Sequence, residues 1–173
     1  MTAGDIRIRT GNTGDRRSGY VFNGVDDYLQ INALGAYEAG ASNICGTISA
    51  WINIPDITGT YYVMGIGLSS AVSHLGLQVK AGKLNAVATG GGTAKFDVIA
   101  TSAMLTPHKW HHVCMTHTGG KTVGRSYLYL DGEPIAMTDT VSTDLTFWTD
   151  DLATWDRGAI GILSMIASCA PGA

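Results

Sequence analysis

The chain has 173 residues, of which 45% are hydrophobic and 14% are charged, and its formal net charge is -3. This length is sufficient for one domain with a substantial core that needs no disulfide or metal. The lack of a basic excess argues against nucleic acid as a partner. The small share of charged residues indicates that part of the surface is covered by protein partners, so we expect a homo-oligomer or a larger assembly.

Cysteine content and hydropathy restrict the class of protein further. Cys45, Cys114 and Cys169 cannot all pair within one chain, and their spacing does not suggest zinc. We expect them to be buried thiols, with a disulfide as the alternative. The N-terminus lacks an apolar run after a basic segment, and the apolar run at 159–167 is too short to cross a bilayer. We therefore expect a soluble protein, made in a cytoplasm, with no membrane partner.

The first elements in chain order are short. An Ile-Arg alternation over residues 5–9 predicts a strand within an N-terminal arm that we place at residues 1–19. The main domain, residues 20–173, opens with a turn at residues 23–24 and a strand at residues 28–31.

The middle of the chain predicts a series of strands and tight turns. Residues 46–54 (GTISAWINI) are predicted to form a strand with its isoleucines and Ala50 on one face. The other face then carries Thr47, Ser49, Trp51 and Asn53. Residues 61–68 predict another strand, and an Ala81-Gly82 turn joins strands near 75–79 and 84–88. A flexible loop is predicted at Gly90 to Gly92, before a short strand at 96–100.

The clearest pattern is a hairpin over residues 107–137. Side chains on its first strand alternate in direction, so that one face receives His111, Val113, Met115 and His117 and the other receives Trp110, His112, Cys114 and Thr116. Tyr127 and Tyr129 then alternate with leucines, and Asp131-Gly132 predicts a second turn. Strand signals recur about every ten residues and no window has helical spacing, so we predict an all-β fold, a two-sheet antiparallel jelly-roll sandwich.

Three segments together resemble the laminin-G-like branch of the concanavalin A-like lectin and glucanase superfamily. They are FNGVDDYLQI at 22–31, GTISAWINI at 46–54, and WHHVCMTHTGG at 110–120 followed by YLYLDGEPI at 127–135. The resemblance implies the jelly-roll fold. The family also has a closing strand that this sequence does not repeat after residue 165, which implies a truncated chain or an edge completed by a partner. We hypothesise that residues 5–9 supply this strand, with Ile6 and Ile8 pairing near residues 28–31 of the same or a neighbouring chain.

The sequence contains little evidence for a catalytic site. Glycanases of this superfamily place carboxylates on one strand, whereas Glu38 and Glu133, the two glutamates of this chain, fall in a loop and a turn. We therefore predict that the chain is not an enzyme. Four of the five histidines fall within residues 108–117, but neighbouring residues of a strand diverge, so we interpret His111 and His112 as structural rather than as metal ligands.

Two sets of residues are candidates for binding. The resemblance implies a calcium position at Asn23, Asp26 and Asp27, with the alternative that these side chains cap a turn. The aromatic residues in or beside predicted loops are candidates for stacking on a glycan or a protein partner, with core packing as the alternative. They are Tyr61, Tyr62, Trp148 and Trp155.

Fold class and the absence of an export signal lead to two expectations for function. The first is a non-catalytic surface component of a bacteriophage virion, of the capsid-decoration or tail-fibre type, which binds other virion proteins and glycans. The second is a carbohydrate-binding or adhesion module of a larger secreted bacterial protein, which places it in the extracellular space.

Overall fold

A computed structural model describes residues 19, 22, 28–31, 44–67, 72–119, 124–152 and 157–161. These residues form eleven strands and one short 3₁₀ turn at Thr149–Asp151. The strands are β1 (Leu29–Ile31), β2 (Gly46–Asn53), β3 (Thr60–Gly67), β4 (His74–Lys80), β5 (Lys83–Gly90), β6 (Thr93–Ala100), β7 (Trp110–Thr118), β8 (Arg125–Leu130), β9 (Glu133–Pro134), β10 (Met137–Ser142) and β11 (Arg157–Ile160).

The strands form two antiparallel sheets, as the sequence predicts. The seven-stranded sheet has the order β1-β11-β3-β4-β5-β6-β10, and the four-stranded sheet has the order β2-β7-β8-β9. Inward-facing side chains of both sheets meet in one core, and the alternation of buried and more exposed residues is clearest on β6 and β7. The core residues include Leu75, Leu77, Leu84, Phe96 and Val98 from the larger sheet and Ile48, Val113, Met115 and Leu128 from the smaller one.

The side chains of the central hairpin face the directions that the sequence predicts. Val113 lies opposite Leu130 and Met115 opposite Leu128, and all four side chains are buried. Asp131 and Gly132 close the next turn with φ values of 53° and 90°, the left-handed conformation that an Asp-Gly turn supplies.

Two predictions differ from the structure. Residues 90–92 do not form an open loop, because β5 and β6 meet there in a tight turn whose Gly92 N–H donates to the carbonyl of Val72 at 2.7 Å. Cys45 is exposed and Cys114 is half-buried, so the prediction of buried thiols is wrong for Cys45, and both are free thiols. The arm at 1–18, with Ile6 and Ile8, lies outside the described residues, and so does Cys169.

Candidate functional site

The outer face of the four-stranded sheet, the side that points away from the core, is rich in aromatic side chains. Alternation on β2 buries Ile48 and turns Trp51 outward, and alternation on β7 buries Val113 and turns Trp110 outward. The register then places Trp51 opposite His112 and Asn53 opposite Trp110. Two tryptophans of neighbouring strands are thereby brought to the same end of the same face.

Both tryptophans are unusually accessible. The exposed fraction of Trp51 is 64% and that of Trp110 is 48%. Large aromatic side chains are mostly buried in soluble domains, so this adjacent exposed pair is a candidate for a binding surface. Together with His112, Asp131 and Gly132 they line a shallow concavity of about 580 Å³, which we call the aromatic depression.

The polar side of the aromatic depression is held in place by hydrogen bonds. Asp131 Oδ1 accepts the backbone N–H of His112 at 2.8 Å, and Asp131 Oδ2 lies 2.8 Å from His111 Nδ1. The hydrogen bond from His111, followed by that from the His112 backbone, lowers the pKa of Asp131, because both stabilise the carboxylate form.

His111 has a structural role, as the sequence indicated. Its Nε2 accepts the backbone N–H of Thr106 at 3.2 Å, which leaves the proton on Nδ1 to bond Asp131. The imidazole thereby connects the loop before β7 to the turn after β8. The ring of His112 instead lies on the outer face, with its centroid 5.4 Å from that of Trp51 and the two planes inclined at 57°.

Of the four predicted aromatic ligand residues, two lie on β3 in the other sheet. Tyr61 packs partly against the core, and its hydroxyl donates to Asp56, which is the main reason that the pKa of Asp56 falls to about 2. Tyr62 is half-buried, and this burial raises its pKa. Neither residue lines the aromatic depression.

Trp148 was predicted as an exposed aromatic residue, and this is wrong. Its side chain is 3% exposed and stacks on the imidazole of His117, with ring centroids 4.6 Å apart. Its indole also lies against Gly46, where a Cβ atom would come within 2.9 Å of the ring. The segment around Trp148 folds over the end of the sandwich, and the Asp144 N–H donates to the Lys95 carbonyl at 2.9 Å. The indole is therefore part of the core and not available to a ligand.

Trp155 and the candidate calcium ligands Asn23, Asp26 and Asp27 lie outside the described residues. Within the ranges that the structure describes, no three His, Cys, Asp or Glu side chains are arranged to hold a metal ion.

Trp51 and Trp110 were not selected as site residues from the sequence, although the signal was present. The alternation of β2 already separated Trp51 from the isoleucines, and that of β7 separated Trp110 from Val113 and Met115. A tryptophan on the polar face of a confidently predicted strand is a better candidate for binding than one in a loop, because its exposure follows from the pleat.

The two antiparallel sheets define a jelly-roll sandwich, and its smaller sheet carries the exposed aromatic face. A family model for the laminin-G-type domains of the concanavalin A-like lectin/glucanases superfamily matches residues 23–159. The chain belongs to this family. No curated protein matches the sequence.

Solved structures with the same fold include a module of a bacterial sialidase and two domains of a laminin chain. The carbohydrate-binding module (CBM40) of the Ruminococcus gnavus IT-sialidase has a TM-score of 0.61 and 14% identity, over 80% of this chain and 75% of that one. The same module bound to α2,3-sialyllactose has a TM-score of 0.60 and 14% identity, over 79% of this chain and 73% of that one. Domains LG4-5 of the mouse laminin α1 chain have a TM-score of 0.52 and 14% identity, over 80% of this chain and 32% of that one. At these identities the likeness establishes the fold alone.

The described residues include no helix that is long and apolar enough to span a membrane.

Proposed function

We propose that this chain is a non-catalytic carbohydrate-binding module and that the aromatic depression is its ligand site. The observation that carries the proposal is the exposure of Trp51 and Trp110, at 64% and 48%, beside a fixed carboxylate on Asp131. An indole face packs against the apolar C–H face of a sugar ring, while a carboxylate accepts hydrogen bonds from its hydroxyl groups. A shallow site of this kind suits the end or the side of an oligosaccharide chain.

The charge of the aromatic depression favours neutral sugars. Asp131 carries a negative charge there, and neither lysine nor arginine is among the described residues that line it. An acidic sugar would bring its carboxylate toward Asp131, and like charges at short range repel each other. The related CBM40 module was solved with sialyllactose, an acidic ligand. We infer that this chain selects neutral hexose oligosaccharides instead.

A binding role without hydrolysis fits the same residues. Glycoside hydrolysis requires two carboxyl groups that flank the scissile bond, at about 5 Å or more from each other. Asp131 is the single carboxylate among the lining residues of the aromatic depression that the structure describes. Its oxygens already bind His111 and the His112 backbone, so it is suited to orient a ligand rather than to transfer a proton.

The test is a glycan array followed by calorimetry with the best neutral oligosaccharide and with sialyllactose. We expect binding of the neutral ligand, and a loss of about tenfold or more in affinity for Trp51→Ala and for Trp110→Ala. Met104→Ala is the matched control, because Met104 is 47% exposed but does not line the aromatic depression. Binding that survives in both tryptophan variants would overturn the assignment of the site.

A second candidate function is that of a bacteriophage virion surface component. It is supported by the exposed apolar side chains beyond the aromatic depression, which include Ile57, Val72 and Met104, and by the low charged fraction of 14%. In this role the partner is a capsid or tail protein and the location is the virion, whereas the first role places the chain in the extracellular space.

The genes that flank the coding sequence distinguish these two locations. Neighbouring capsid or tail genes would support the virion role. Neighbouring genes for secretion or for glycan utilisation would contradict it and support an extracellular module.

A further inference from the structure

We propose that the aromatic depression is one end of a longer binding surface, and that Tyr127 and Arg125 form a second subsite at the other end. The ligand is then a linear neutral oligosaccharide of several rings, which lies diagonally across the outer face of the smaller sheet. This inference rests on the proposed function and adds to it the length and the direction of the ligand.

Tyr127 lies on the same outer face as the two tryptophans. Alternation on β8 turns its side chain outward, and its exposed fraction is 39%. Tyr127 lies opposite Thr116 of β7, whereas Trp51 lies opposite His112 of the same strand. Four residues along the strands and two strand spacings across the sheet thus separate the Cα atoms of Trp51 and Tyr127, a distance of about 16 Å. One sugar ring cannot contact both side chains, so a shared ligand must contain several rings.

The second subsite repeats the chemistry of the aromatic depression, with an aromatic ring beside a restrained charged group. The guanidinium carbon of Arg125 lies 6.0 Å from the centroid of the Tyr127 ring. Arg125 Nη2 also lies 3.4 Å from Asp139 Oδ2, while the Arg125 side chain remains 42% exposed. The guanidinium group is therefore restrained and can still donate hydrogen bonds to sugar hydroxyls. The first subsite offers the Asp131 carboxylate as an acceptor, and the second offers donors.

The surface between the two subsites suits a neutral ligand. Its middle row consists of Ser49, Cys114 and Tyr129, which lie opposite one another on β2, β7 and β8. Ser49 is exposed and the other two are half-buried. Burial raises the pKa of the Cys114 thiol, so the thiol is neutral at physiological pH. A sugar chain can cross this row without removing water from an unpaired charge, and Asp139 balances the charge of Arg125 beyond it.

The dependence of affinity on ligand length tests the second subsite. The probes are linear oligosaccharides of glucose, mannose and galactose, each as a disaccharide and as a hexasaccharide, with affinity measured by calorimetry. We expect the hexasaccharide of the preferred sugar to bind about tenfold more tightly than its disaccharide. Tyr127→Ala should lower the affinity for the hexasaccharide by about three- to tenfold and leave that for the disaccharide unchanged. Trp51→Ala should weaken the binding of both.

Tyr127→Phe is the matched control, because it keeps the aromatic ring and should bind both lengths as the wild type does. Equal affinities of the wild type for the two lengths would overturn the second subsite and leave the proposed function intact. The same holds if Tyr127→Ala binds the hexasaccharide as tightly as the wild type. A chain that binds none of the probes would overturn both proposals.

Cys114 gives an independent measurement of the ligand's direction, because it lies midway between Trp51 and Tyr127 on the central strand β7. The hexasaccharide should slow the alkylation of this thiol by iodoacetamide, and the disaccharide should not. Cys45, exposed just before β2 and off this diagonal, is the internal control. Equal alkylation rates of Cys114 with and without saturating hexasaccharide would overturn the diagonal path.

Discussion

The imidazole of His117 lies parallel to the indole of Trp148, with ring centroids 4.6 Å apart and planes inclined by 5°. Phe96 stacks on the other side of the imidazole at 6.0 Å, and His117 Nδ1 lies 3.0 Å from the hydroxyl oxygen of Ser126. A histidine that is 3% exposed thus occupies a core position. Burial lowers its pKa, because removal from water penalises the charged form.

This burial makes stability depend on pH. The pKa of His117 in the folded chain lies below the ordinary value of 6.5, so the unfolded chain binds the proton more readily. The stability that the neutral, buried His117 contributes to the folded chain is fully present above pH 6.5. It is lost as the pH falls through the lower pKa that His117 has in the folded chain. We expect the urea midpoint to decrease between about pH 7.5 and about pH 5. His117→Gln should flatten this dependence and His112→Gln, on the outer face, should retain it; equal slopes in both variants would contradict the assignment.

A second titration, at lower pH, concerns Asp131. Its pKa is lowered below the ordinary 3.8 by the hydrogen bonds from His111 and from the His112 backbone. The stability from these bonds is therefore present above pH 3.8 and lost as the pH falls below it. Asp131→Asn should reduce this acid dependence, and Glu133→Gln, at an exposed neighbouring position, should not. Unfolding followed by tryptophan fluorescence measures both, and an unchanged acid dependence in Asp131→Asn would contradict the prediction.

The two classes of tryptophan should separate in stability measurements. Trp148→Ala removes a fully packed indole from the core and should cost about 3–5 kcal/mol of unfolding free energy. Trp51→Ala removes a side chain that is 64% exposed and should cost less than about 1 kcal/mol. Chemical denaturation gives both values. Similar losses for the two variants would mean that Trp51 is buried in solution, as it would be under a partner.

A buried polar network in the larger sheet gives a further prediction. Asn85 is 0% exposed; its amide donates to Asp97 Oδ1 at 2.6 Å and to the Val98 carbonyl at 3.0 Å, and it accepts from Gln78. Asn85→Ala would leave these groups without partners, so we expect a loss of about 3 kcal/mol. Thr138→Ala, on an exposed position of β10, should change stability by less than about 0.5 kcal/mol. A loss of similar size in both variants would argue against the network.

The architecture was largely predictable because strand periodicity and turn residues are local signals. The strand at 46–54, the turns at Ala81-Gly82 and Asp131-Gly132, and the orientation of the central hairpin agree with the structure. The site was not predicted, because exposure was inferred from position in a loop. Trp148 lies outside the strands yet is buried, since its segment folds back onto Gly46 and His117. Such a contact between residues distant in sequence leaves no local pattern.

The turn at Asp131-Gly132 affects how a ligand would be bound. The Asp131 carboxylate is already oriented by His111 and the His112 backbone before any ligand arrives. A ligand hydroxyl would therefore donate to an acceptor that is already fixed. Binding would not have to order the Asp131 side chain, because folding has already done so. The indole of Trp51 is 64% exposed and is contacted by the ring of His112, so its tilt would be less fixed than the Asp131 carboxylate and could adjust to different sugar rings. The Asp131 carboxylate would thus orient a bound glycan. The indole of Trp51 would allow the site to accept sugar rings of different shape.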